Sequence, residues 1–278
     1  MSEQSLTGVP HTSSRFASLS SAVGGSAVVR KTLVLLMLAV IWEAAARYGG
    51  KPILFPSFLA TMSALWEGLT QENLLLASLS SLSVLVKGYV IAVALAFVLV
   101  SLAVASRFVR ELLQTLISMF NPLPAIALLP LAMLWFGLGE KSLLLVLVHA
   151  VLWPFALAAL SGFESVPETQ RLVGRNYGLR GPSYVVRILI PAALPSIIYG
   201  MKIAWAFAWR TLIAAELVFG VSSSSGGLGW YIFRNRNELF TDKVFAGLAM
   251  VIIIGLAIES ILFRALEHLT VRRWGMQR

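Results

Sequence analysis

Long apolar runs alternate with short polar segments along most of the chain. A transmembrane helix needs about 20 predominantly apolar residues, and six runs come close to that length or exceed it. They occupy residues 31–47, 84–105, 116–137, 142–161, 190–219 and 244–263. The third run is broken by Pro122, Pro124 and Pro130, which neighbouring helices of a bundle can accommodate. The pattern predicts an all-α integral membrane protein with six transmembrane helices between residues 31 and 270.

The composition supports lipid as the surrounding medium. Of the 278 residues, 58% are hydrophobic and only 13% are charged, and the mean hydropathy is +0.83. A water-soluble domain of this size could not hide so much apolar surface. Residues 1–30 are rich in Ser, Thr and Gly and lack the apolar core of a signal peptide, so we predict a mobile cytoplasmic tail. Residues 271–278 are predicted to form a second cytoplasmic tail.

The net charge of +9 follows the predicted loops. Segments 1–31, 106–111, 162–187 and 264–278 are net positive, and the intervening segment 48–83 is net negative. The loop 220–243 is an exception, with one excess positive charge. Because positive loops of membrane proteins stay inside, the pattern predicts a multi-pass protein of the cytoplasmic (inner) membrane with both termini in the cytoplasm. Topology therefore accounts for the charge, and no nucleic-acid partner is expected.

One polar, basic stretch interrupts this apolar chain. Residues 166–177 predict a short amphipathic helix, which Gly178 can end in a left-handed conformation. Gly181 and Pro182 predict a turn, and Ser183 is a candidate cap for the next helix. The expected product is a short surface helix joined to the fifth span by a tight corner. An ordinary amphipathic connector fits the same pattern.

The corner resembles the signature of ABC-importer permeases, in which EAA, three residues and Gly are followed by nine residues and Ile-x-Leu-Pro. With the glycine placed on Gly178, Ile188, Ile190 and Pro191 fall at the end of the signature. The EAA positions fall on Leu172, Val173 and Gly174, so the acidic residue is missing.

Four further segments are similar to one branch of that family, the permeases of nitrate-, sulfonate- and taurine-type importers. These segments are FNPLPAIALLPLAMLWFGLGEKS (120–142), AAELVFGVSSSSGGLGWYI (214–232), TDKVFAGLAMVIIIG (241–255) and LFPSFLATMSAL (54–65). In the last of these, Phe58 stands where a proline is common. The likeness covers roughly residues 40–275.

The resemblance implies a six-transmembrane-helix permease of type I ABC importers, with a cytoplasmic coupling helix at about residues 166–182 that docks on a separate ATPase subunit. It implies that Leu172, Val173, Gly174, Tyr177, Gly178, Arg180, Ile188 and Pro191 take part in coupling. Two coupling helices match two ATP-binding subunits, and one six-span half is too small to enclose a path. The expected partners are therefore a second copy of the chain, two ATP-binding subunits, an external substrate-binding protein and the lipid bilayer.

The chain itself lacks the motifs of catalysis and of metal binding. GLGEKS (137–142) misses the P-loop pattern because Glu140 stands where the second glycine is needed. The chain has no cysteine, and its 3 histidines are scattered. We therefore expect no catalytic residue, no metal site and no cofactor in this chain, with ATP and Mg²⁺ on the partner ATPase.

Polar groups inside spans are costly and are therefore candidates for a substrate path. The candidates are Asn121, Met133, His149, Trp205, Trp209, Arg210 and Glu216. Arg210 lies about 100° from the helical stripe that carries Glu216, so an ion pair between the two is not expected. For both residues a structural interhelical pair and a substrate contact stay open. The tryptophans could stack on substrate or simply pack, and Asn121 could bond to backbone freed by the prolines.

Two further charged residues lie in the predicted spans. Lys87 could reach the external interface, and Glu43 could be an interfacial residue or a helix cap.

The resemblance favours an ATP-driven importer of a small anion, such as a sulfonate, taurine or nitrate. The alternatives are an importer of a neutral or cationic molecule, such as a vitamin precursor, and a channel or secondary carrier. A carrier would be expected to show inverted repeats, and no clear internal repeat is present.

Overall fold

The computed structural model describes residues 27–219 and 226–272, and all regular elements within these ranges are helical. Most of the predicted N-terminal tail, and residues 273–278 of the predicted C-terminal tail, lie outside the described residues. The longer helices are α1 (Ala27–Gly49), α2 (Phe58–Gln71), α3 (Leu74–Ala105), α4 (Arg107–Phe120), α5 (Leu129–Phe136), α6 (Glu140–Glu164) and α7 (Glu168–Asn176). They continue with α8 (Gly181–Tyr184), α9 (Ile190–Phe219), α10 (Leu228–Asn237), α11 (Thr241–Ala257) and α12 (Arg264–Glu267).

Short non-α turns join several of these helices. A 3₁₀ turn, Ala125–Leu128, precedes α5. A π-helical turn, Val185–Leu189, connects α8 to α9, and two more, Ile258–Phe263 and His268–Arg272, flank α12.

Four described helical stretches are long and apolar enough to cross a membrane: Leu74–Ala105, Glu140–Glu164, Gly181–Val218 and Thr241–Thr270. They contain four of the predicted spans. The bent pair Arg107–Phe120 and Ala125–Phe136 adds a fifth if it counts as one span. Helix α1 covers the first predicted span, and the total of six stays a prediction.

The third predicted span is divided into two helices. The axes of α4 and of Ala125–Phe136 meet at 88°, and the break lies at residues 121–124. Pro122 and Pro124 lie in this break. Pro130 does not break the helix as expected, because it lies in the first turn of α5, where the missing N–H has no intrahelical partner to lose.

Contacts between Cα atoms divide the chain after Ala60. In the first unit, the segment after α1 folds back on Trp42, whose Nε1 donates to the carbonyl oxygen of Pro56 at 3.1 Å. Glu43 accepts a hydrogen bond from the backbone N–H of Leu59 at 3.1 Å, in the first turn of α2. Ser57 accepts one from the backbone N–H of Ala60. Glu43 therefore caps a helix, which was one of its two predicted roles.

In the second unit, residues 61 onward, α6 packs between α3 and α9. Glycines and alanines allow close approach of these helices. A Cβ added at Gly200 would lie 2.5 Å from the Cβ of Ala158, and one at Gly88 would lie 2.8 Å from the Cβ of Leu147. Without a strong hydrophobic force between helices in lipid, such close packing is a main source of association. The core therefore depends on small residues at the crossings.

Candidate functional site

The surface helix α7 ends in a Schellman motif at Gly178. The backbone N–H of Gly178 donates to the carbonyl of Arg175 at 2.9 Å, and that of Leu179 donates to the carbonyl of Gly174 at 3.1 Å. Gly178 has φ +70°, as predicted for a left-handed C-terminal residue. A Cβ at Gly178 would meet no atom within 4 Å, so backbone conformation rather than space requires the glycine.

The next helix begins at Gly181, with Arg180 as its N-cap and Pro182 in its first turn. The prediction that Ser183 caps this helix is wrong, because a proline in the first turn already sets the helical φ and Ser183 follows it. Pro191 lies eight residues after Ser183 and has no N–H to donate to the carbonyl of Arg187, and the π-helical turn ends two residues before it.

The corner is closed by direct packing of α7 on the π-helical turn. Gly174 is buried, and an added Cβ would lie 2.8 Å from Cγ1 of Ile188 and 3.0 Å from Cε2 of Tyr184. Arg171 ties α7 to the end of α6, because its guanidinium donates to the carbonyls of Phe163 at 2.5 Å and Val166 at 3.0 Å. The surface helix is therefore held to the end of α6 through one face and to the segment that precedes α9 through another.

The opposite face of α7 is apolar and exposed. Leu172 is 47% exposed, Val173 50% and Tyr177 82%. Arg180 is exposed as well. Leu172, Val173 and Tyr177 thus form an exposed apolar patch on a surface helix, a feature typical of protein–protein contact sites. The structure thus brings the predicted coupling residues to one corner and divides them into a packing set and an exposed set.

A cavity of about 700 Å³ lies beside the break between α4 and α5. Asn121 and His149 line it, together with Tyr199, Thr211 and the aromatic pair Phe120 and Trp153. These two rings stack at 5.0 Å. Nε1 of Trp153 donates to Nδ1 of His149 at 3.0 Å, which places the proton of a neutral imidazole on Nε2. The cavity combines aromatic faces with hydroxyl and amide groups.

A second cavity, of about 340 Å³, contains Trp205, Trp209 and Arg210. Trp205 and Trp209 are buried, and the ring of Trp205 packs edge-on against Tyr89 at 5.3 Å, which favours the packing role for this ring. Arg210 donates from Nε to the carbonyl of Ala206 at 3.1 Å, and its guanidinium lies 4.9 Å from the ring centre of Phe207. Tyr199 and Ile203 line both cavities.

Glu216 lies apart from both cavities and from Arg210. The residue is 1% exposed, and its carboxyl group accepts hydrogen bonds from the hydroxyl of Ser81 and, at 2.7 Å, from the backbone N–H of Gly229. A Cβ at Gly227 would lie 2.1 Å from Oε1 of Glu216. The glycine-rich segment thus allows the backbone to approach the carboxyl group. Met133, another candidate, packs against the core and lines neither cavity.

Three ion pairs between separate segments could not be predicted from the sequence. Lys87 pairs with Glu140 at 2.7 Å, and Lys202 pairs with Glu259 at 2.9 Å. Lys243 pairs with Glu72, which also accepts from the hydroxyl of Tyr231 at 2.9 Å. Partial burial opposes the ionisation of Glu72, but the hydrogen bonds from Lys243 and Tyr231 outweigh it and lower the pKa of the carboxyl.

Residues 91–273 match the family described as binding-protein-dependent transport system inner membrane component. A putative ABC transporter permease protein of Methanocaldococcus jannaschii is 29% identical over 87% of this chain and 91% of its own length. The taurine transport system permease protein of Escherichia coli is 36% identical over 58% of this chain and 56% of its own length. The nitrate import permease protein of a Synechocystis strain is 26% identical over 88% of this chain and 90% of its own length.

Proposed function

The chain belongs to the family of binding-protein-dependent transport system inner membrane components, and we propose that its cargo is a small anion. As a member of that family it is a multi-pass inner membrane protein, the permease subunit of an ABC importer, and not itself an enzyme. It works with ATP-binding subunits and a substrate-binding protein. The proposed cargo is a sulfonate, taurine, nitrate or a similar anion.

The observation that carries the proposal is that the charged side chain of Arg210 has no carboxylate partner among the described residues. Its guanidinium lines a cavity and has no carboxylate within ion-pair distance among the described residues. A guanidinium stays charged in proteins, and a charge in the membrane is costly without an anionic partner. Relatives named for taurine and nitrate agree with a cargo that supplies this partner.

We propose that the cargo passes the two cavities beside α9. Asn121 and His149 offer polar groups at the broken helix, and Trp205 and Trp209 border the space next to Arg210. Irregular backbone at membrane depth is tolerated where it lines a cavity. Met133 and Glu216, two other candidates for the path, line neither cavity, and we propose that they act by holding the surrounding helices.

The proposed assembly is a homodimer of this chain with two ATP-binding subunits, which bind ATP and Mg²⁺, and one external binding protein. The exposed face of α7, with Leu172, Val173 and Tyr177, supports ATPase docking. Both termini and α7 are proposed to be cytoplasmic, because residues 162–187 are net positive. Native mass measurement of the active complex tests this assembly, and a stable active complex with a single copy of the chain would contradict it.

The cargo is tested by reconstitution in proteoliposomes with the ATP-binding subunits and the external binding protein. We expect ATP-dependent uptake of labelled taurine, nitrate or an alkyl sulfonate, and no uptake when the ATP-binding subunits are omitted. Uptake of a neutral or cationic compound, such as a vitamin precursor, without uptake of any anion would overturn the proposed cargo. Uptake that needs no ATPase would instead indicate a channel or secondary carrier.

A further inference from the structure

A small cavity of about 140 Å³ lies where α7 meets α4 and α6. Its floor is apolar and consists of Val104, Leu160, Phe163 and Leu189. Its polar lining consists of Arg110 from α4, Glu164 from α6, Arg171 and Arg175 from α7, and Tyr184 from α8. A cavity of this volume holds one tetrahedral oxyanion and is too small for a nucleotide. This cavity is separate from the two cavities that are assigned to the cargo.

Positive charge is in excess around this cavity. Three guanidinium groups line it, and Glu164 is the single carboxylate of the lining. Glu164 also accepts a hydrogen bond from Nε2 of Gln114 at 3.3 Å. Glu168 lies 4.0 Å from Arg171 and 3.9 Å from Arg175, at the outer limit of an ion pair, and is itself 65% exposed. One positive charge is in excess even when Glu168 is counted.

Two buried polar atoms of the lining have no hydrogen-bond partner among the described residues. They are Nε of Arg110 and the hydroxyl oxygen of Tyr184. Both groups can donate a hydrogen bond, and a buried donor without an acceptor is destabilising. The two residues come from different helices, and both line the same cavity. A negatively charged acceptor bound in the cavity would offer these donors a partner and would also offset the excess charge.

We propose that this cavity binds one oxyanion of the phosphate or sulfonate class and that the bound anion ties the α7 corner to α4. Arginine suits this ligand because its planar donor groups match the oxygen atoms of phosphate and sulfonate. The oxyanion could be free in solution or could be the phosphate of an anionic lipid headgroup, and the chemistry of recognition is the same for both. The inference depends on the corner and not on the identity of the cargo.

The test uses the full-length chain purified without its ATP-binding subunits, so that no nucleotide site contributes. Thermal unfolding is followed in neutral detergent while sulfate or inorganic phosphate is titrated against chloride at constant ionic strength. In parallel, the chain is placed in nanodiscs of phosphatidylcholine with or without phosphatidylglycerol. A rise in unfolding temperature with the free anions indicates a free oxyanion as ligand, and a rise only with phosphatidylglycerol indicates a lipid phosphate.

Two variants assign the effect to this cavity. Arg110→Gln and Tyr184→Phe should each weaken the affinity for the stabilising anion roughly ten-fold or more, since each variant loses a hydrogen bond to a charged group. Without the anion, Tyr184→Phe should unfold at the wild-type temperature or above it, because it removes an unpaired buried hydroxyl. A purely structural hydroxyl would instead make this variant less stable under all conditions.

The matched control is Arg107→Gln, which removes an arginine that is 91% exposed on the same helix, α4. It should keep the wild-type response to the anion. The proposal is overturned if neither free oxyanions nor phosphatidylglycerol stabilise the wild-type chain. It is equally overturned if Arg110→Gln and Tyr184→Phe respond to the anion as Arg107→Gln does.

Discussion

The hydroxyl of Ser81 in α3 lies 2.8 and 2.9 Å from the two carboxyl oxygens of Glu216 in α9, 135 residues later in the chain. The same hydroxyl oxygen accepts a hydrogen bond from the backbone N–H of Leu228 at 2.8 Å. Ser81 and Glu216 are both buried, with 0% and 1% exposure. This pair therefore joins two long helices to the start of α10, and the buried carboxyl group is satisfied inside the protein.

Ser81→Ala should lower the free energy of unfolding by about 1–3 kcal/mol, because it leaves buried polar groups without a partner. Thermal unfolding of the purified chain in detergent measures the change. The control is Ser260→Ala, which removes an exposed hydroxyl bonded within its own helix and should have little effect. Equal unfolding temperatures for the two variants would contradict the bridging role of Ser81.

Gly178 should be sensitive to any residue that resists a left-handed backbone. Gly178→Val should insert in the membrane yet uncouple ATP hydrolysis from uptake, because a left-handed L-residue costs about 1–2 kcal/mol and a different backbone moves α7. Gly178→Asn should be milder, since Asn tolerates this conformation. Uptake and ATPase activity of the reconstituted complex are measured together. Gly49→Ala, at an open position without positive φ, is the control, and normal coupling in Gly178→Val would contradict the argument.

Leu239 is a leucine in the position where a Schellman motif favours glycine. It has φ +64°, and the N–H groups of Leu239 and Phe240 donate to the carbonyls of Arg236 and Asn235. Because the side chain is 74% exposed, Leu239→Gly should relieve the backbone strain with little loss of packing and stabilise by about 1 kcal/mol. Thermal unfolding checks the gain.

The control for that substitution is Leu138→Gly, which removes a leucine of the same exposure, 74%, without positive φ. It should not stabilise the chain, because glycine there only gains freedom in the unfolded state. If both glycine variants shift the unfolding temperature in the same direction, the strain argument for Leu239 is wrong.

Arg210→Gln should assemble, keep basal ATPase activity and lose most anion uptake, while Arg210→Lys should keep part of it. If Arg210 formed a structural ion pair with Glu216, the Arg210→Gln variant would be unstable. The carboxyl group of Glu216 instead accepts its hydrogen bonds from other groups. Uptake by proteoliposomes is compared with the yield of intact complex. Arg236→Gln is the control, because Arg236 also lies over an aromatic ring, at 5.1 Å from Phe233, outside the proposed path. Full uptake by a well-assembled Arg210→Gln permease would rule out the substrate contact.

Glu72 should make part of the stability depend on pH. Its pKa is lowered in the folded chain, so its stabilising contribution is present above the ordinary carboxyl pKa and is lost as the pH falls through the folded value. The difference in unfolding temperature between wild type and Glu72→Gln should therefore be largest near pH 7 and shrink on acidification. Glu111→Gln, which removes a carboxylate from an exposed pair with Arg107, is the control for the loss of one carboxylate. A difference that is independent of pH would contradict the ion-pair account.

Much of the fold is encoded locally and could be predicted from the sequence. Apolar runs of sufficient length predicted the helices α3, α6, α9 and α11, because a helix in lipid satisfies its backbone within one segment. The left-handed conformation of Gly178 was also predictable, since the corner depends on residues within a few positions of it. The motifs around this corner identified the family, which the match over residues 91–273 confirms.

Local rules were insufficient where prolines and caps compete. Pro122 and Pro124 lie at the 88° bend of the third apolar run, whereas Pro130 fits into the first turn of α5. Likewise, Pro182 starts the helix that Ser183 was expected to cap. In each case the sequence located the irregularity, and the position of each proline relative to the helix start decided whether the axis changes.

The contacts of the candidate site residues were decided by the tertiary structure alone. The sequence named Glu216 but not Ser81, and it named Asn121 and His149 without placing them in one cavity. The excess charge near Arg110, Arg171 and Arg175 was equally hidden. Such contacts join residues far apart in the chain, so they depend on which helix faces meet. That choice is made by small residues such as Gly88 and Gly200, whose missing side chains allow the helices to pack closely.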